Sequence, residues 1–155
     1  MLTARDLMTS TPVTATPMTT IRSAFDLLHE LDIRHLPIVN DMGELVGMIS
    51  DRDLRALTLP HFANDPDART MRVALDARVA SLMSSNVLSV EAEADALEVV
   101  DLMLDHKVGA IPVVDADGLL IGIISYIDVL RALPLDAGEP AVSRAEVHGH
   151  DAGGR

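Results

Sequence analysis

The sequence predicts an α/β fold built from two copies of one small α+β unit, and three observations carry that expectation. Leu7–Leu57 lies over Leu82–Ala132 without a gap, at a constant offset of 75 (82 − 7). The identical positions are structural ones, among them Leu7/Leu82, Pro37/Pro112, Gly43/Gly118, Gly47/Gly122, Ile49/Ile124, Ser50/Ser125 and Asp53/Asp128. Each copy also alternates helical apolar spacing with two short aliphatic runs. Units repeated in this way usually bury their apolar faces on one another, and the seam between them is the first place to look for a ligand.

Each copy reads helix, short strand, helix, strand, turn, strand, helix. In the first copy Thr20 can cap a helix whose apolar positions are Ile21, Ala24, Phe25, Leu28 and Leu31, one helical face. Its counterpart opens at Asp95 with Glu98 three residues on, a capping-box spacing, and continues through Val99, Val100 and Met103. Two aliphatic segments follow, Leu36–Val39 and Leu45–Ile49, separated by Asn40-Asp41-Met42-Gly43. The second copy has Ile111–Val114 and Leu119–Ile124 around Asp115-Ala116-Asp117-Gly118. An Asx residue followed by Gly between two apolar runs signals a hairpin. Asp115 and Asp117 are not a calcium loop, because the Gly and the terminal Glu of such a loop are missing. A closing helix is expected over Asp51–Leu57 and again over Tyr126–Leu133. The resulting layout is a first repeat at 1–58, a linker at 59–78, a second repeat at 79–134 and a disordered C-terminal tail at 135–155.

Composition narrows the function. Aromatic residues make up only 2% of the chain, so the core must be aliphatic. There is no cysteine, which removes disulfides, thiolate metal ligands and thiol catalysis together. The apolar runs are too short to span a bilayer and no secretory leader is visible, so a soluble cytoplasmic protein is expected. A formal net charge of −12 argues against general affinity for nucleic acid or anionic membrane. The charge is uneven, however: Arg34, His35, Arg52 and Arg55 cluster in the first repeat, where they offer a local pocket for one small anion.

The chemistry-bearing segments are Gly47–Leu54 (GMISDRDL) and Gly122–Val129 (GIISYIDV). Both set Gly in a strand, Ser at its end and Asp three residues later on the first turn of a helix. A glycine there lets a flat ligand approach the backbone. Ser50 with Asp53, and Ser125 with Asp128, then stand at helix starts, where a carboxylate can accept from two neighbouring hydroxyls as acidic residues do for ribose in dinucleotide folds. The competing reading is that each Ser/Asp pair only caps its helix. Duplication copies caps as faithfully as sites, so the repeat does not decide between them. His29-Glu30 lacks the second His of a zinc motif, and His148 and His150 sit in the Gly-rich tail. No acid–base, nucleophile or metal constellation stands out, so an enzyme is not expected.

These residues carry a family resemblance. LMTSTPVT (Leu7–Thr14) with LMSSNVLS (Leu82–Ser89), HLPIV with AIPVV, and the two G-x-x-S-x-x-D triples resemble a tandem pair of cystathionine-β-synthase-type (CBS) domains, a Bateman module. The resemblance covers nearly all of Thr3–Leu133. It implies two pseudo-twofold-related βαββα repeats with clefts between them for adenosine-containing ligands: AMP, ADP or ATP, or S-adenosylmethionine. It assigns ribose to Asp53 with Ser50, and to Asp128 with Ser125. It also implies that each cleft borrows from the opposite repeat: Leu88, Val108 and Ala110 beside Asp53, and Val13 and Ile33 beside Asp128. Arg34-His35 resembles the basic pair in some repeats of the AMP-activated kinase gamma subunit, whereas the second copy has Gly109-Ala110. The Asp53 cleft is therefore expected to take a phosphorylated nucleotide, and the Asp128 cleft to bind more weakly or with less dependence on phosphate. His35, if exposed, would titrate near neutrality.

The implied function is a stand-alone sensor that needs no cofactor and no metal. It would pair as a homodimer and, with no output domain recognisable, signal in trans to an unknown effector protein. The alternative is a dimerisation scaffold with vestigial clefts.

Overall fold

A computed structural model of the protein describes residues 1–64 and 68–133. The expected tail at 135–155, and residues 65–67 of the expected linker, lie outside the described residues.

The first half contains α1 (Ala4–Leu7), β1 (Thr9–Ser10), α2 (Ile21–Glu30), β2 (His35–Val39), β3 (Leu45–Ser50) and α3 (Asp51–Asn64). After α4 (Ala68–Asp76) and a 3₁₀ turn over Val79–Ser81, the pattern repeats as β4 (Val90–Glu91), α5 (Ala96–His106), β5 (Ala110–Val114), β6 (Leu120–Ser125) and α6 (Tyr126–Ala132). α3 runs past the expected Leu57 into the expected linker, and helix α4 occupies nine residues of that linker.

Local chemistry explains the elements. The Thr20 hydroxyl accepts from Ser23 N at 3.1 Å and caps α2; the Asp95 carboxylate accepts from Leu97 N at 2.8 Å and caps α5. Each hairpin turns on one Asx side chain. Asn40 Oδ1 accepts from Met42 N and Glu44 N, and Asp115 Oδ1 accepts from Asp117 N and Leu119 N. The glycines that follow, Gly43 at φ +84 and Gly118 at φ +81, hold a left-handed conformation costly for other residues. Asp115 and Asp117 thus build a turn. Of the apolar positions read for this helix, Ile21, Ala24 and Leu28 are buried, while Phe25 is 43% exposed and Leu31, just beyond the end of α2, is 47% exposed. The stripe that the repeat covers is narrower than the stripe of apolar residues.

The two halves exchange their N-terminal segments. β1 pairs antiparallel with β6 (Thr9 opposite Ile123, Ser10 opposite Gly122), giving a four-stranded sheet in the order β1-β6-β5-β4. The first half's pair, β2 and β3, is extended in the same way by single bridges, Ala15 to Ile38 and Met48 to Ser84. The cores follow suit. Ala4 and Leu7 of α1 pack with Val99, Ile111, Val113 and Ile124, while Val79 packs with Ile21, Leu36, Ile38 and Ile49. Neither core is complete without a piece of the other repeat, so the two units form one pseudo-twofold body. No polar or charged side chain is buried among the described residues. No helix among them is long and apolar enough to cross a membrane.

Candidate functional site

A cleft of about 500 Å³ opens where β3 meets α3, on the seam between the repeats. Ser50, Asp51, Arg52 and Asp53 form one wall, and Arg34 and His35, at the start of β2, form the floor. Met48 of β3 adds to these, and the opposite repeat supplies Ser84 and Asn86–Leu88 before β4, His106–Ala110 from the end of α5 to the start of β5, and Tyr126. The residues expected around Asp53 (Ser50, Arg34, His35, Leu88, Val108 and Ala110) therefore all line one cavity.

The carboxylates do cap their helices. Asp53 Oδ2 accepts from Ser50 N at 2.8 Å and Ser50 Oγ at 3.0 Å, and Asp53 N donates back to Ser50 Oγ at 3.3 Å. Asp128 repeats the arrangement with Ser125 at 2.8, 2.8 and 3.3 Å. Thr3 and Asp6 make the same carboxylate contacts at the start of α1, where those hydrogen bonds hold the exposed Asp6 carboxyl below its usual range. The Ser-x-x-Asp spacing is thus a capping device first. Capping uses one oxygen. Oδ1 of Asp53 accepts no hydrogen bond from the described residues, and its two lone pairs suffice for two hydroxyl donors.

The glycines of the two triples serve packing, which corrects the expectation of ligand access. A Cβ on Gly47 would collide with the Met83 side chain and approach the Ser84 carbonyl, and one on Gly122 would collide with Met8. Each glycine clears room for a methionine delivered by the exchanged N-terminal segment.

Charge gathers at the Asp53 cleft. Arg34 Nη1 donates to the Tyr126 hydroxyl at 3.2 Å, and Arg55 pairs with Asp51 at 2.8 Å, leaving Arg52 on the cleft wall. His35 is half-buried against Gly109. Burial holds its imidazole below the usual histidine value; Asp51 and Asp53 oppose that shift, and Arg34 and Arg52 add to it. The condition for titration near neutrality, an exposed ring, is not met. Sequence reasoning missed His106, Lys107, Asn86 and Tyr126. A comparison of charges 75 residues apart would have exposed Lys107, whose counterpart is Asp32.

The Asp128 group is less assembled. Ser125 and Asp128 stand together, but Val13 is 43% exposed. Ile33 packs on the first core and lines a separate cavity of about 330 Å³ with Phe25, Leu54 and Arg55. Ser125 and Asp128 line neither of these two cavities.

Comparison with known proteins agrees with this architecture. A CBS domain-containing protein of Dictyostelium discoideum is 34% identical over 130 residues, spanning 83% of this chain and 89% of that protein. The crystal structure of CBSX2 in complex with AMP superposes with a TM-score of 0.73 at 33% identity, covering 85% of this chain and 96% of the other. The CBS domain pair of protein MJ0100, solved with 5′-methylthioadenosine and S-adenosyl-L-methionine, gives 0.69 at 25% identity over 84% and 94% of the two chains. The model of the CBS domain matches residues 4–59 and 79–135, and this chain belongs to the CBS domain family, with one domain in each of those segments.

Proposed function

We propose that this protein is a regulatory module that binds adenosine-containing nucleotides between its CBS domains and signals through a partner protein rather than catalysing a reaction. One observation carries the reading: a single cleft joins a carboxylate with a spare oxygen, an apolar wall and several cations, drawn from both repeats. Its volume falls in the range of small-molecule sites, roughly 300–1,000 Å³. In the proposed pose Asp53 Oδ1 accepts from the ribose hydroxyls, with Ser50 beside it. Leu88, Val108 and Ala110 face the adenine, and Arg34 with His35 meets the phosphate. The Asp128 cleft, with Ser125, Val13 and Ile33, is the weaker site. The AMP bound by CBSX2 and the adenosine compounds bound by the MJ0100 pair support this ligand class.

No cofactor is needed for such binding, and the proposed setting is the cytoplasm. A ligand shifts a partner's recognition only by its difference in affinity for two shapes of the module. Thermal shift with AMP, ADP, ATP and S-adenosylmethionine tests the reading. A ligand at a hundred times its dissociation constant stabilises the fold by about 2.7 kcal/mol. No shift with any of the four would overturn it.

One observation favours a second reading. Leu97 and Leu104 on α5, and Leu130 on α6, are 73%, 69% and 55% exposed. Such apolar positions suit a homodimer in which the module acts as an interaction scaffold. In that case sedimentation would show a dimer whose stability ignores all four nucleotides.

A further inference from the structure

The cavity of about 330 Å³ lies within the first repeat, between the C-terminal half of α2, the loop into β2 and the first turns of α3. Phe25, Leu28, Ile33 and Leu54 supply its apolar lining. Phe25 is 43% exposed there, in a chain that has only two phenylalanines. His29, Asp32, Arg34, Asp51 and Arg55 supply the polar lining.

The second repeat shows which of these residues the fold requires. The backbone is the same in both places. Asp32 and Lys107 are left-handed, at φ +50 and +53. Ile33 N donates to Leu28 O at 3.0 Å, and Val108 N to Met103 O at 3.1 Å. Asp51 N donates to Arg34 O at 3.0 Å, and Tyr126 N to Gly109 O at 3.1 Å. The apolar lining is apolar in both copies, with Val100, Met103, Val108 and Val129 at the counterpart positions. The polar lining is not: His29, Arg34, Asp51 and Arg55 are matched by Leu104, Gly109, Tyr126 and Leu130. One backbone is built with or without these charges, so packing does not call for them.

The charges also have an order. Asp51 and Arg55 pair at 2.8 Å and neutralise each other. Arg34 meets only the neutral Tyr126 hydroxyl, and the Asp32 carboxylate has no partner among the described residues. The cavity thus offers one cation and one anion beside an apolar lining. A ligand with a single charge satisfies only one of them, whereas a zwitterion satisfies both through charge-assisted hydrogen bonds. The volume stands at the low end of small-molecule sites, roughly 300–1,000 Å³.

We propose that this cavity binds a free α-amino acid with an apolar side chain. Its ammonium meets Asp32, its carboxylate meets Arg34, and its side chain lies against Phe25, Leu28, Ile33 and Leu54. Arg34 and Asp51 line the Asp53 cleft as well. An amino acid that draws on Arg34 therefore competes with the phosphate of a nucleotide, and each ligand weakens the other by the same factor. This coupling rests on the adenosine-binding reading above; the amino-acid site itself does not.

Titration calorimetry of the full chain with L-leucine, L-methionine and L-phenylalanine tests the site. At least one should bind, and 4-methylpentanoate and 3-methylbutylamine, which each lack one of the two charges, should not. Asp32→Asn should weaken that amino acid about tenfold or more, the loss expected for a hydrogen bond between charged groups. Asparagine tolerates the left-handed backbone, so the melting temperature and the AMP affinity measured alone should stay as in the parent. A saturating amino acid should weaken AMP at least about twofold. No binding of the three amino acids, equal binding of the singly charged compounds, or an Asp32→Asn variant that binds like the parent would overturn the site. AMP affinity unmoved by the amino acid would overturn the coupling. Amino-acid binding by a chain that ignores AMP would sink the adenosine reading and the coupling, and leave the site standing.

Discussion

Arg34 Nη1 lies 3.2 Å from the hydroxyl of Tyr126, a hydrogen bond that joins the start of β2 in one repeat to the first turn of α6 in the other. Residues 92 positions apart in the chain are neighbours on the cleft floor only because the two repeats share a seam. The bond holds a long cation at the place where the proposed ligand carries its phosphate.

Tyr126→Phe removes the acceptor and keeps the ring. The pair is exposed, so unfolding free energy should change by no more than about 0.5 kcal/mol. AMP affinity should fall about two- to tenfold as the guanidinium loses its anchor. Calorimetry beside urea unfolding checks both, and unchanged affinity would remove Arg34 from the phosphate end.

Asp53 has two tasks that a pair of variants can separate. Asp53→Ala loses a cap worth about 0.5–2 kcal/mol, and the proposed ribose bonds as well, weakening AMP about 10- to 100-fold. Asp53→Asn keeps a capping oxygen and should recover most of the stability while leaving binding impaired. If the Asn variant recovered both equally, or Asp53→Ala bound AMP like the parent, Asp53 would be a cap alone.

The pH dependence follows from His35. Its folded-state value lies below the unfolded value of about 6.5, chiefly because the ring is desolvated. Below pH 6.5 the unfolded chain binds the proton more readily than the native one. Stability from this group is therefore full above pH 6.5 and declines as pH falls towards the folded value. His35→Gln should flatten that part of the urea-midpoint curve between pH 7 and 5. A parent curve rising as pH falls through this window would contradict the assignment.

Gly47 and Met83 should couple. A methyl group at 47 has no room beside the Met83 sulfur and the Ser84 carbonyl, so Gly47→Ala should destabilise by about 1–3 kcal/mol. In a Met83→Ala background the same change should cost much less, because the flexible obstacle is gone. A double-mutant cycle with no coupling would mean that the glycine answers to some other constraint.

The sequence by itself determined the repeat, the order of elements, both Asx-Gly hairpins and the caps at Thr20 and Asp95. These depend on a few adjacent residues, on side-chain reach and on φ, so local spacing suffices to read them. It also marked Asp53, Arg34, His35, Leu88, Val108 and Ala110 as one group, because the repeat and the family resemblance carried relations that no local rule holds.

Tertiary structure decided the rest. It showed that Gly47 and Gly122 make room for Met83 and Met8, that α1 completes the opposite core, and that Lys107 and Tyr126 reach the Asp53 cleft. It also showed that Phe25 and Leu31, though correctly spaced, stay exposed. Each of these depends on which surfaces of the two repeats meet. Contact across the seam is set by packing between distant segments, and periodicity within one segment carries no record of it.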